Sequence, residues 1–375
     1  MAKILCVLYD DPTKDRPLAY PRDGIPDTGL YPDGQTLPSP AAIAFRPGEL
    51  LGDVTGSLGL PSFLAARGHT LVATSDEQGP DSVFERELPE ADIVISQPSW
   101  PAHLTAARIA RARELKLVIT AGVGSDHVDL DAAAAHGLTV AEVTQSASIS
   151  AAEYAVMLIL SLVHGAPMTR APGAPRERTI AGQVMRAYDV EGMHVGSVGA
   201  GRAGFAVLRR LRPFDVRLHY TDPRRLPLAV ESELCLTYHP SVADMVTICD
   251  VVTIHCPLHA GTASLFDAPM IGRMKRGAYL VNTARDAICD RDAVARALET
   301  RQLAGYAADA SAALLPAART APLAGATLSA QTRAAAGTRE ILECWFDGAP
   351  IRTDYLVLDR GTVAKLGARS YRMHV

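Results

Sequence analysis

The segment His194–Asp222, HVGSVGAGRAGFAVLRRLRPFDVRLHYTD, constrains the fold of this chain more than any other. Gly199, Gly201 and Gly204 stand in GxGxxG spacing. A short apolar run (Val195, Val198) precedes them, and an amphipathic run (Phe205, Val207, Leu208, Leu211) follows. A second apolar run (Val216, Leu218, Tyr220) leads to Asp222, 18 residues past the last glycine. The order reads strand, tight turn, helix, strand, acid. Gly199 permits the turn, and Gly201 leaves the backbone bare for a diphosphate. Gly204 lets helix and strand pack closely, and the helix N-terminus presents free N–H groups to the phosphates. A carboxylate at Asp222 is placed to accept from ribose hydroxyls. With its strand, helix and acid, this spacing predicts a dinucleotide site. It leaves the reaction open.

A chain of 375 residues is long for one core, so two domains are expected. Hydrophobic residues make up 48% and charged residues 21%, as in a water-soluble globular protein. A net charge of −4 gives no footing for nucleic acid or an anionic membrane. The longest apolar run, Ala155–Val163, is too short to span a bilayer. The opening MAKILCVLYDD runs directly into a strand-like segment and lacks a signal-peptide layout. Cys6, Cys235, Cys249, Cys256, Cys289 and Cys344 show no CxxC or paired spacing. Free thiols in a reducing, cytoplasmic setting are expected, with no metal site.

Strand-like runs at 4–8, 70–74, 93–96, 117–120 and 139–143 alternate with helix-like runs at 58–67, 106–113 and 130–136. A second strand series follows at 195–198, 216–220, 251–255, 279–282 and 305–308. Alternation of this kind predicts an α/β protein with two doubly wound parallel-sheet domains. Ser148–Val163 reads as a long apolar helix, with Glu153 closing a capping box if Ser150 is the cap. Residues 13–61 and 165–178 read as irregular, being rich in Pro and Gly. The stretch 307–322 is dominated by alanine.

With these residues in view, the chain resembles the NAD-dependent formate dehydrogenases of the D-2-hydroxyacid dehydrogenase superfamily. The likeness runs almost end to end, through GPDSVFERELPEADIVISQP, TAGVGSDHVDL, CDVVTIHCPLH, KRGAYLVNTAR, CDRDAVARALE and AGTREILECWF. The resemblance implies a Rossmann cofactor domain, 148–325, inserted into a split, flavodoxin-like catalytic domain formed by 1–147 and 326–375. It also implies a homodimer through the region of Ser148–Val163. Cofactor contacts carry over to Gly199, Gly201, Arg202, Ala203, Gly204, Asp222, Pro257, His259, Thr283, Arg285, Asp309 and Ser370, with Tyr371 beside it. Asp222 opposes a 2′-phosphate by like charge, so NAD is favoured over NADP. Arg224 and Arg225 follow closely and pull the other way.

At the reacting centre the resemblance places Arg285 as the carboxylate anchor and Val123 as a small apolar wall. A guanidinium grips a carboxylate with two bonds. Other positions depart from the family. Ala147 stands where the family has its substrate-orienting asparagine, and Pro322 where it has its histidine. Ser99 replaces an aromatic wall, although Trp100 beside it is kept. Asp286 follows Arg285 where the family has glycine. The histidines lie at 69, 103, 127, 136, 164, 194, 219, 239, 255, 259 and 374, so no shift of alignment within 260–373 supplies one. Candidate substitutes as a base are His255, His259, Glu142 and Asp126, although structural roles weigh against them. The expectation is an NAD-dependent oxidoreductase acting on a small carboxylate larger than formate, or turning formate over very weakly. The alternative is an NAD-binding protein with a non-redox role: a silent sensor or partner subunit, or an isomerase, lyase or cyclase.

Overall fold

The computed structural model describes residues 1–8, 60–98, 102–165, 187–309, 324–325 and 327–364. The chain divides into two compact units, Met1–Ala147 with Thr327–Val375, and Ser148–Ala326. The first unit is built on β1 (Lys3–Val7), β2 (Thr70–Thr74), β3 (Ile93–Ser96), β4 (Leu117–Thr120) and β5 (Thr139–Glu142). These strands are parallel, in the order 2-1-3-4-5 of flavodoxin-like sheets. Every residue of β3, β4 and β5 is buried, as expected of strands covered on both faces. Successive side chains enter opposite cores: Ile93, Ile95 and Ile119 join one, Val94, Val118 and Val140 the other. The helices are α1 (Leu60–Ala66), α2 (Val83–Glu87), α3 (Ala106–Arg111) and α4 (Leu130–Ala135). Ser82, Thr105 and Asp129 cap the last three, each accepting from a backbone N–H three residues on. Of the irregular stretch expected at 13–61, positions up to 59 lie outside the described residues, and the last two belong to α1.

The second unit opens with α5 (Ser148–Val163), followed by β6 (His194–Val198), α6 (Arg202–Leu211), β7 (Arg217–Thr221), α7 (Leu228–Leu234), β8 (Leu236–Tyr238) and α8 (Val242–Met245). It continues through β9 (Val251–Ile254), α9 (Ala268–Arg273), β10 (Ala278–Asn282), α10 (Arg291–Glu299) and β11 (Leu303–Ala308). The six strands are parallel in the order β11-β10-β9-β6-β7-β8, the doubly wound order of dinucleotide-binding sheets. One face packs Val195, Leu218, Tyr220 and Val281 against α5 and α6. The other packs Val198, Val252 and Leu280 against α8, α9 and α10. The capping box expected at Ser150 is not formed. The helix already begins at Ser148, so Ser150 is buried within it and Glu153 falls beyond the first turn. Glu153 reaches Arg210 of α6 instead, at 3.0 Å.

The chain then completes the first sheet through α11 (Leu328–Asp347), β12 (Leu356–Asp359) and β13 (Thr362–Val363). β12 pairs antiparallel with β5, so that sheet is mixed at this edge. Gly337 lets α11 pass close to β5, since a Cβ there would stand 2.4 Å from Val143.

Candidate active site

The glycine loop is explained residue by residue. Gly199 has φ +96°, and a Cβ there would press at 3.0 Å on the carbonyl of His255 and the nitrogen of Cys256. A Cβ on Gly204 would lie 2.0 Å from the Gly199 oxygen, so α6 could not seat on β6. A Cβ on Gly201 would meet nothing within 4 Å; the space beside it is open. Gly201 is the N-cap of α6 and offers no side-chain bond to the first turn. Those amides keep their capacity for an anion. Arg202 is exposed at the head of the helix, and Ala203 is half-buried.

Asp222 is tied to this loop. Its carboxylate accepts from Ala200 N–H at 2.9 Å and Arg224 N–H at 2.8 Å. Each oxygen retains a second lone pair for a ribose hydroxyl. The two arginines that follow differ in role. Arg225 makes two 2.8 Å bonds to Glu231 and lies over the Tyr238 ring, while Tyr220 O–H also donates to Glu231. Those donors, Arg225 first, hold the Glu231 carboxyl down to about 2. Arg225 is therefore committed to structure, and Arg224 alone of the two is exposed without a side-chain partner among the described residues.

The other half of the cradle follows β9 and β10. Pro257 is exposed and its carbonyl accepts from Thr262 Oγ1 at 2.6 Å. Gly261 N–H donates to His259 Nδ1 at 3.1 Å, which leaves the ring proton on Nε2 of the neutral side chain. Thr283 Oγ1 is buried with no hydrogen-bond partner among the described residues. An orphaned hydroxyl at the carboxyl end of a parallel strand suits a ligand group. Asp309 accepts from Ala324 N–H at 2.8 Å. Arg285 ends the loop after β10, its carbonyl accepting from Asn282 Nδ2 at 2.9 Å. Asp286 makes no salt bridge with it: burial raises the Asp286 carboxyl, and Arg291 is the cation that opposes the rise. The open space at Gly201, the helix N-terminus that Gly201 leaves without a side-chain cap, Asp222 and Thr283 together fit a dinucleotide.

In the first unit, Val123 is half-buried in the loop after β4. That loop is braced by Glu142, fully buried, which accepts from Gly124 N–H and Ser125 Oγ, each at 3.2 Å. Glu142 is thus a structural acid. Ala147 is held by neighbours that fix its backbone: Arg333 Nε donates to Ser146 O at 2.8 Å, and Thr144 Oγ1 to Asp354 O at 2.7 Å. Ser99, Trp100, Pro322, Ser370 and Tyr371 lie outside the described residues. His255 is half-buried, and desolvation pushes its ring down to about 4, which makes it a weak base at neutral pH. Sequence reasoning missed the Arg225–Glu231–Tyr220 cluster and a chain of histidines at 194, 219 and 239, neither of which carries a motif.

Residues 156–327 match the family model for the NAD binding domain of D-isomer specific 2-hydroxyacid dehydrogenases. The chain is 57% identical to formate dehydrogenase from Pseudomonas sp. (strain 101), over 99% of this chain and 95% of that one. The chain belongs to the formate dehydrogenase family. A solved Granulicella M. formate dehydrogenase is 56% identical, with a TM-score of 0.87 over 97% of this chain and 100% of its own. The NAD-dependent formate dehydrogenase from Staphylococcus aureus, solved with NAD, is 34% identical, with a TM-score of 0.74 over 95% of this chain and 99% of its own. The protein is accordingly an NAD-dependent oxidoreductase of the hydride-transfer class. No described helix is long and apolar enough to cross a membrane.

Proposed function

We propose that this protein oxidises a small carboxylate with NAD, that the carboxylate is larger than formate, and that formate itself is turned over very slowly. The observation that carries this reading is the absence of any histidine from 260 to 373 in a chain otherwise so close to the family. NAD, when bound, supplies the hydride acceptor. The chain's own groups do the rest. Gly199, Gly201, Arg202, Ala203, Gly204 and Asp222 hold the adenine ribose and diphosphate. Pro257, His259, Thr283, Asp309 and Ser370 hold the remainder of the cofactor. Arg285 grips the substrate carboxylate, and Val123 walls the pocket. Oxidation of formate releases CO2 and needs no base, but it needs the small anion to be oriented. Ala147 and Pro322 offer no polar group for that, and losing one orienting donor typically costs on the order of 10² to 10³ in rate. The small side chains at Ala147 and Ser99 suit a bulkier anion, one whose hydroxyl-bearing carbon gives the hydride to NAD while its hydroxyl proton passes to water, because no carboxyl carbon other than that of formate carries a hydrogen.

In this reading, 1–147 and 326–375 form the catalytic domain, 148–325 the cofactor domain, and Ser148–Val163 the seam of a cytoplasmic homodimer. The free thiols at Cys6, Cys249 and Cys289 agree with a reducing compartment. The formate dehydrogenase relatives lend no support to a non-redox role. The test is NADH formation at 340 nm with formate and a panel of larger carboxylates. Turnover of a larger carboxylate that vanishes in Arg285→Ala is expected. Formate oxidation as fast as that of the Pseudomonas relative would overturn the proposal.

A further inference from the structure

The second sheet reverses its strand order between β6 and β9. In an open parallel sheet the ligand crevice lies outside the carboxyl ends at that reversal. Gly199 follows β6 there, and His255 follows β9. The two touch: a Cβ on Gly199 would stand 3.0 Å from the His255 carbonyl. The His255 backbone is fixed by its N–H, which donates to Val198 O at 2.8 Å. Its ring is fixed as well, with Nε2 2.9 Å from Thr253 Oγ1.

That contact determines where the ring proton sits. Thr253 is fully buried, and His255 is the one partner of its hydroxyl among the described residues. A buried O–H left without an acceptor is costly, so Thr253 donates to Nε2. The neutral ring must then carry its proton on Nδ1. Desolvation lowers the affinity of this ring for a second proton, so the neutral form prevails. Nδ1 has no hydrogen-bond partner among the described residues, and His255 is half-buried rather than sealed in the core.

We propose that His255, held by Thr253 as the Nδ1–H tautomer, donates a hydrogen bond to an oxygen on the nicotinamide side of the bound dinucleotide. Asp222 closes β7 on one side of β6 and takes the adenine ribose. β9 lies on the other side, so His255 faces the ribose or phosphate oxygens of the second nucleotide. His255 is a binding residue and Thr253 a positioning residue. Because the donor is neutral, it serves NAD⁺ and NADH alike.

Two measurements on the full-length protein test this. Nitrogen NMR of histidine-labelled wild type, with His255 assigned from His255→Asn, should show the Nδ1–H tautomer and a shift of His255 on adding NAD⁺. Calorimetric titration of His255→Leu should show NAD⁺ and NADH binding weakened by the same factor, about tenfold for one hydrogen bond. AMP, which carries only the adenine half, should bind as to wild type. His255→Asn should recover most of the loss, and Thr253→Val should fall between. An Nε2–H tautomer, a His255 signal unmoved at saturating NAD⁺, or wild-type NAD⁺ affinity in folded His255→Leu would each overturn the proposal. If His255→Leu does not fold, the wild-type NMR result decides alone.

Discussion

Acid should weaken the cofactor unit through a chain of three histidines. His194 opens β6, His219 lies within β7 and His239 follows β8. His194 Nδ1 is 2.8 Å from His219 Nε2, and His219 Nδ1 is 3.0 Å from His239 Nε2. The first two rings stack at 5.0 Å and 19°. Neutral rings satisfy the chain with one proton each, all on Nδ1 or all on Nε2. A second added proton leaves N–H facing N–H. His219, in the middle, is 6% exposed. Burial first, then the charges of His194, His239, Lys275 and Arg217, push it from 6.5 down to about 4. Burial lowers His194 and His239 too, but Asp250 and Asp244 partly offset this, so the outer rings protonate first. Between pH 6.5 and about 4 the unfolded chain takes up a proton at His219 that the native chain refuses. Stability contributed by the neutral ring is therefore complete above pH 6.5 and is lost as pH falls through that window. The full interval is worth about 3 kcal/mol, and roughly 2 kcal/mol is lost by pH 5. For a unit of this size that lowers Tm by about 4–8 °C. Thermal melts at several pH values from 7.5 to 5, on wild type and His219→Gln, measure it. Glutamine can still bridge its neighbours but does not titrate, so the variant should lose less Tm on acidification. Equal losses in the two proteins, or a His219 midpoint near 6.5 by NMR, would refute the reasoning.

Asp222→Ala removes the acceptor of two backbone bonds and, on the proposed reading, of the ribose hydroxyls. NAD Kd should rise at least about tenfold, at the weaker end of a charge-assisted bond. Discrimination against NADP should relax, since Arg224 stays available while Arg225 remains with Glu231; titration with both cofactors checks this. Gly204→Ala sets a methyl 2.0 Å from a backbone oxygen. It should cost at least the 1–3 kcal/mol or so of ordinary overpacking and abolish measurable NAD binding, read by thermal melt and calorimetry. Pro322→His alone should leave formate kcat/KM far below that of an intact family member. Combined with Ala147→Asn it should gain more than the two single changes predict, because groups acting as a unit are not additive.

The parallel strands were legible because each reads as a short apolar run between turn residues, and β3 and β4 are buried on both faces. The stretches at 70–74, 93–96 and 117–120 coincide with β2, β3 and β4. The shortest elements, and the antiparallel strand from the chain's far end, were not legible. β8 has three residues, α8 has four, and β12 takes its identity from an antiparallel partner far away in the chain. The glycine loop was legible because Gly199 and Gly204 answer local steric demands and Gly201 keeps the space beside the helix N-terminus open. The alliances of Thr253 with His255, of Arg225 with Glu231 and of the three histidines were not. They depend on side-chain direction and on which strand lies beside which, and no spacing motif encodes either.

The structure narrows what the departures at the reacting centre mean. Had Asp286 folded onto Arg285, the anchor for an anionic substrate would be partly cancelled and the cradle left without a cation beside it. Asp286 instead makes no pair with it, and its own carboxyl is raised by burial and opposed by Arg291. Asp286 thus does not cancel Arg285 by pairing with it. On the proposed reading, in which Arg285 anchors the substrate and Ala147 replaces the orienting amide, the departures bear on which carboxylate reacts and how fast.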